Sequence, residues 1–573
     1  MFKVFKGQKN FPVFALCAVF ILVVAIHLAT LHLPAFNLDE LMWMGVALDE
    51  PDAPFTGRKL GESYFYLMNY IGALKGYIYA FVFTYFDPSF MSIRLPLILS
   101  AMLATLLLKF PKTVTISQDK AWFGVFFLLI CPTVTYFAHL DHGPTTLEYI
   151  ARCLLLFLTM RVIVSERISL LNAVLMVILI VLAFWNKASF IAFSIGLGAF
   201  FIAYALIYAQ SAKRWLTGLL GLFIIVLSMT MYIVLQSKFD IGSVSETGFY
   251  PERIMGIMGN FSGYHYLSYI GGIKNSAVIK TALFVTLIVS LIGAAVVIRF
   301  FFEWIRAFFA LFSKSPAAHE KNALRDKTGS LVLLFFVTSA SAIGFTLVTA
   351  LALQPWHYNL TFPSLPLLIV ICLLSLTRKY SDTSSAKDTT GESAVSAKAG
   401  VMAAVSTLCL MSLMATAFSG RLYYAAVWPA ADENPTRGFG RLINAVAPTE
   451  FFEDTRHFEG DIFLGDWGLH MQVLAYGARK DRNGPSIWEY RFDLEQYNAH
   501  NFLRIENTLK SGILVFHGEK ATAFPAVKEK VFNHIHENNL KAELCKSYAD
   551  PDGTVIIEVW TGHCGKFLTA AAK

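Results

Sequence analysis

The sequence predicts an α-helical polytopic membrane protein that ends in a small soluble α/β domain, and three observations predict it. Of 573 residues, 56% are hydrophobic and only 15% charged, too apolar for a soluble enzyme of this length. About eleven runs of roughly 17 to 25 mostly apolar residues are each long enough to cross a bilayer as a helix. From about Gly420 the apolar density falls, and short strand-like and helical patterns replace the long runs.

The spans begin near Phe11, Phe90, Ala121, Thr145, Ile168, Ser189, Leu216, Ser276, Ser330, Leu360 and Gly400. Lys3, Lys6 and Lys9 precede the first, which is longer than a signal-peptide core and lacks a clear small-residue cleavage site, so it reads as a retained anchor with its N-terminus in the cytosol. Alternate threading then puts Lys109, Lys112 and Lys120, Arg161 and Arg167, and Lys213 and Arg214 on the cytosolic side, as the excess of basic residues in cytosolic loops requires. The net charge of +7 is spread between apolar runs, so it reports topology and excludes a nucleic-acid partner. An odd number of spans leaves the C-terminal domain extracytoplasmic. Modest length and the absence of a large inserted outer domain point to a bacterial inner membrane.

Residues 1–419 form the transmembrane domain and 420–573 the C-terminal α/β domain. The first outer loop, 34–89, holds an acidic pair, Arg58 and Lys59, and the aromatic series Tyr64, Phe65, Tyr66, Tyr70, Tyr77 and Tyr79, a mixture expected of helices lying in the membrane interface. Residues 238–275 read as a Gly- and Tyr-rich outer loop, and 380–399 as a small, polar connector. In the C-terminal domain, strands are expected over Asp461–Leu464, Gly512–Phe516 and Thr554–Trp560, and a helix over Ala526–Leu540. Cys545 and Cys564 lie on the oxidising side and are candidates for a disulfide; Asp466 and His470 read as turn and core residues.

The candidate chemistry gathers where spans meet the outer face, because ionisable groups are expensive near hydrocarbon unless they pair or work. Asp39 and Glu40 follow the first span; one of two close carboxylates can be poised as a general base, although the same residues could cap a short helix. His139-Leu140-Asp141-His142 forms a short second outer loop. Asp39, Glu40, Asp141, His139 and His142 together could hold a divalent metal ion, and polar turn roles are the alternative. Arg94 opens the second span and Lys187 joins the fifth to the sixth, both cations suited to a phosphate or to snorkelling. His357 and Tyr358 precede a span containing Pro363 and Pro366.

Taken in order, these elements resemble the GT-C superfamily of membrane glycosyltransferases, in particular the branch with protein O-mannosyltransferases and the lipid A aminoarabinose transferase. The resemblance rests on Asp39-Glu40, Arg94-Leu95-Pro96, Asp141, Lys187 and His357-Tyr358, and covers the membrane portion. The sequence departs from the family at Leu41-Met42-Trp43, where a small residue and an aromatic are frequent, and at His357, where Arg is usual. The resemblance implies a polyprenyl-phosphate-linked sugar donor, an acceptor lipid, glycan or protein, catalytic roles for Asp39, Glu40 and Asp141, and substrate contacts from Arg58, Lys59, Arg94, Lys187, His357 and Tyr358. No nucleotide cofactor is expected, since neither a phosphate-binding Gly-Lys loop nor a dinucleotide fingerprint occurs.

The expected activity is an inverting sugar transfer at the outer face, with Asp39 as general base. The alternative is a transporter or flippase of a polyprenyl-linked sugar. Transporters place ionisable groups near the midplane and carry internal repeats, whereas this chain keeps its charges at one face.

Overall fold

The computed structural model describes residues 11–32, 36, 38–49, 58–68, 70–111, 122–141, 143–208, 213–239, 248–259, 298, 327–349, 355–372, 447–466, 469–477, 487–489, 499–522, 525–550 and 553–571. The spans expected from Ser276 and Gly400, the connector at 380–399 and most of the outer loop at 238–275 lie outside them.

The membrane portion is a helical assembly. Helix α1 (Phe11–Ala29) is followed by two single-turn helices, α2 (Leu38–Leu41) and α3 (Met44–Ala47), then by α4 (Leu74–Val82) and α5 (Phe90–Leu106). Ser89 starts α5 through a reciprocal capping box with Ser92, which satisfies N–H groups that the first turn leaves unpaired. After α6 (Phe123–Ile130) and α7 (Pro132–His139) come α8 (Thr145–Ser165), α9 (Leu170–Asn186), α10 (Ile191–Tyr208), α11 (Lys213–Phe239), α12 (Arg253–Gly259) and α13 (Lys327–Val348). Among the described residues three helical stretches are long and apolar enough to cross a membrane by themselves, Ala188–Ile207, Trp215–Leu235 and Lys327–Val348. The apolar run from Ala121 predicts a continuous span. Instead the chain breaks between α6 and α7 at Cys131, which is extended because Pro132 removes an N–H and disfavours helical geometry in the residue before it.

The first outer loop differs from expectation. Much of its aromatic series forms an antiparallel meander rather than interfacial helices: β1 (Arg58–Leu60), β2 (Ser63–Met68) and β3 (Ile71–Gly72). Aromatic residues suit a pleated surface, and here Tyr64 stands opposite Lys59 and Tyr66 opposite Arg58. Tyr77 and Tyr79 alone of the series lie on a helix, α4. The meander is seated on the end of α9 by an Ile71–Lys187 bridge and by the Ala188 N–H donating to the Tyr70 carbonyl at 2.9 Å. A Cβ at Gly72 would lie 1.5 Å from the Trp185 carbonyl oxygen, so only glycine permits this approach.

The C-terminal unit contains a five-stranded sheet in the order β5-β4-β6-β8-β7, with β4 (Ile462–Leu464), β5 (Ile487–Glu489), β6 (Ile513–His517), β7 (Glu543–Ala549) and β8 (Val555–Thr561). Strands β5, β4 and β6 are parallel, and β8 and β7 continue antiparallel. Its helices are α14 (Pro448–Thr455), α15 (His470–Gly477), α16 (Ala499–Ser511), α17 (Pro525–Glu537) and α18 (Cys564–Ala571). Alternation along the strands divides two cores. Phe463, Leu514 and Phe516 pack with Ile505, Leu509, Val527 and Val531 of α16 and α17. Ile462, Leu464, Ile513 and Val515 face the other way, into a cluster that continues through α15 to Phe36, Leu41, Met42 and Trp43 of the membrane portion. Cys545 and Cys564 are joined in a disulfide, with Cα atoms 5.3 Å apart.

Candidate active site

The site is built on α2, whose single turn leaves the bilayer portion directly after α1. Glu40 is buried and closed on Arg94 of α5 by a bidentate pair: Arg94 Nε donates to Oε1 at 2.6 Å and Nη2 to Oε2 at 2.7 Å. Arg94 Nη1 donates to the Leu31 carbonyl at 2.6 Å, so the guanidinium also ties the end of α1 to α5. The rings of Phe36 and Phe90 stack on each other and lie 4.9 and 5.0 Å from the guanidinium carbon. The sequence suggests that Arg94 grips a phosphate; in the fold its fork is occupied by Glu40.

Lys75 of α4 is the cation that sequence reasoning missed. It is fully buried, with Nζ donating to Asp141 Oδ2 at 2.8 Å and to the Glu40 carbonyl at 3.3 Å, and lying 4.7 Å from the Trp43 ring. A Cβ on the next residue, Gly76, would meet Val46 Cβ at 2.7 Å, so glycine lets α4 approach α3 closely enough for Lys75 to reach both partners. The available signal was a lysine inside an aromatic, apolar stretch, Ala73-Leu74-Lys75-Gly76-Tyr77.

Asp141 also accepts from the Thr146 N–H at 2.6 Å and from Thr145 Oγ1 at 3.2 Å, which serves the unpaired first turn of α8. Burial raises its proton affinity, but the Lys75 charge and hydrogen bond and the Thr146 donors outweigh this and hold the carboxyl below its ordinary value. Such a group is a poor base. Burial, followed by the charges of Asp141 and Glu40, raises the Tyr79 phenol well above its ordinary value, so it stays protonated and donates to the Ile93 carbonyl.

The remaining expected residues are distributed around this network. Lys187 is buried where α9 ends, its ammonium 5.9 Å from the Tyr70 ring. Lys59 is exposed and lies over Tyr64 at 4.5 Å, a surface cation–π contact. His139 is buried with Nδ1 3.4 Å from His27 Nδ1. Tyr358 packs across Gly256, where a Cβ would fall 2.3 Å from the ring. The side chains of Asp39, Arg58 and His357, and all of His142, lie outside the described residues. Among the described residues no three His, Cys, Asp or Glu side chains group as metal donors; Glu40 faces Arg94, Asp141 faces Lys75 and His139 faces His27.

A second buried pair was also missed. Glu148 and Arg152 on α8 stand 3.5 Å apart; Ser189 donates to Glu148 at 3.3 Å, and Arg152 Nη1 donates to the carbonyls of Asn359 and Phe362 at 2.5 and 2.7 Å. This pair joins the segment after Lys187 to the segment after His357 and Tyr358. Its signal was two opposite charges four residues apart within a mostly apolar span. Asp466 is turned into the C-terminal unit beside His517, at 3.3 Å, and accepts from Thr522.

No family model and no curated protein matches the sequence. Solved structures do. ArnT from Cupriavidus metallidurans bound to undecaprenyl phosphate superposes with a TM-score of 0.50 at 12% identity, over 98% of this chain and 99% of that one. The oligosaccharyltransferase of Archaeoglobus fulgidus in its apo form gives 0.45 at 12% identity, over 95% of this chain and 70% of that one. The arabinofuranosyltransferase AftD from Mycobacteria gives 0.45 at 14% identity, over 97% of this chain and 40% of that one. The end-to-end superposition on ArnT shows that the chain has the fold of that protein.

Proposed function

We propose that the protein is an inverting glycosyltransferase that moves a sugar from a polyprenyl-phosphate donor to an acceptor hydroxyl at the outer face of the membrane. The observation that carries this reading is the buried Arg94–Glu40 and Lys75–Asp141 array assembled at the end of the first span, within a GT-C fold. ArnT binds undecaprenyl phosphate, and the same class of lipid suits this site.

Asp39 is the proposed general base. Its neighbour Glu40 is committed to Arg94, and Asp141 is held as an anion by Lys75, which leaves Asp39 as the carboxylate of the three for proton abstraction. It takes the acceptor hydroxyl proton while the acceptor oxygen bonds to the anomeric carbon from the side opposite the phosphate. The bond from that carbon to the phosphate oxygen breaks, and polyprenyl phosphate leaves with the electron pair. Lys75 and Lys187 supply positive charge toward the leaving phosphate, Lys75 sharing its donors between phosphate and Asp141. Arg94 positions α2 rather than touching substrate. The donor carries its own leaving group, so the step uses no nucleotide.

The test is single-turnover transfer from a purified polyprenyl-phosphate sugar. Asp39→Asn preserves shape and removes the base, so the rate should fall by roughly two to four orders of magnitude with donor binding retained. Near-normal turnover by this variant would end the general-base assignment.

A further inference from the structure

A crevice of about 810 Å³ opens between the start of α5 and the C-terminal unit, on the opposite face of α5 from Arg94. Its volume is that of a small-ligand site. Its lining includes a row of side chains at four-residue spacing, Met91, Leu95 and Leu99, which falls on one face of α5, together with Val82 and Ala475 of α15. Along α5 its polar groups belong to the helix start, where Ser92 donates to the Asp87 carbonyl beside the Ser89 cap, ahead of Leu95 and Leu99; Arg456 and His457 of the C-terminal unit complete the lining.

This distribution is that of an amphiphile's site. A sugar or nucleotide would leave the Leu95–Leu99 wall uncovered, and water there would forfeit the burial of apolar surface. Exposed Tyr85 and Phe86 are part of the lining, as suits aromatic residues at the boundary of hydrocarbon. The charged groups of the lining are of both signs. Arg456 pairs with Glu453 at 3.4 Å, but both are well exposed, and such a surface pair is weak enough to share its cation with a phosphate. Asp87 complements an ammonium group.

We propose that this crevice binds a phospholipid with an amine headgroup: an acyl chain along Leu95 and Leu99, the phosphate at Arg456 and His457, and the ammonium toward Asp87. The site stands apart from the Glu40–Arg94 network and does not depend on the proposed transfer reaction.

The full chain in detergent, titrated with dioleoylphosphatidylethanolamine and measured by native mass spectrometry, tests it. One lipid should be retained per chain, and Leu95→Trp, which fills the crevice, should weaken retention at least about tenfold, a difference of about 1.4 kcal/mol. Leu99→Phe is the milder variant should the first not fold. Arg456→Gln should weaken binding of the phospholipid but not of dioleoylglycerol, which has the same chains and no phosphate. Leu103→Trp lies on the same helical row outside the crevice and should change nothing. Equal retention by wild type and both crevice-filling variants would overturn the proposal. So would an equal loss from Leu103→Trp, which would mark ordinary annular lipid. Displacement by polyprenyl phosphate at matched concentration would overturn it too, assigning the crevice to the donor.

Discussion

At the scale of single residues, the Glu40–Arg94 pair is a fixed element with no solvent to screen it. Removing one partner leaves a buried charge uncompensated, which costs about 3–5 kcal/mol, whereas replacing both with apolar groups of similar volume is far milder. Glu40→Leu and Arg94→Met should therefore each lower the Tm in detergent, and the double variant should recover much of the loss. A double variant at least as unstable as the sum of the singles would show that the pair does not act as a unit. Asp141 gives a pH signature. Its folded pKa lies below the ordinary carboxylate value of about 3.9, so its ionised pairing with Lys75 contributes full stability above that value and loses it as pH falls through the lower folded one. The Tm gap between wild type and Asp141→Asn should stay constant from about pH 5 to 8 and shrink only below about 4. A gap that closes near pH 6 would mean that Asp141 titrates as a base and that the proton acceptor has been misassigned.

At the scale of elements, the seam between β3 and the end of α9 fixes Lys187. Gly72→Ala places a Cβ against the Trp185 carbonyl, and backbone on both sides has no free rotamer with which to yield. The variant should retain the helical spectrum but lose most transfer activity, through displacement of Lys187, with the apparent KM for donor rising. Wild-type kinetics from a stably folded Gly72→Ala protein would detach this seam from function. The meander also shows where periodicity misleads. Tyr64, Phe65 and Tyr66 in succession suit an interfacial helix as well as a strand, and only the pairing of β2 with β1 and β3 separates the two. The break at Cys131-Pro132, hidden by the continuous apolar run from Ala121, has its local cause in the proline.

At the scale of the whole molecule, the basic loops predict a cytosolic N-terminus and an extracytoplasmic C-terminal unit. A reporter active only in the cytosol, fused after Lys573, should remain silent; activity would move every outer-loop residue to the other side. The same unit is joined to the site by the second face of its sheet, through α15, whose Gln472 Nε2 donates to the Phe36 carbonyl at 3.3 Å. Composition and run length by themselves determined a membrane helical protein, because a bilayer demands long apolar segments whatever the fold. Charges stranded at span ends likewise mark Glu40, Arg94, Asp141 and Lys187 from the sequence alone, since a charge at the edge of hydrocarbon is costly unless it has a task. Tertiary structure alone decided who pairs with whom. Glu40 and Arg94 are 54 residues apart and Lys75 and Asp141 are 66, and at such separations neither periodicity nor propensity carries pairing information. It decided, too, that Arg94 binds a carboxylate in the protein and that Lys75 belongs to the site, since a buried charge is satisfied by whichever opposite charge packing brings within reach.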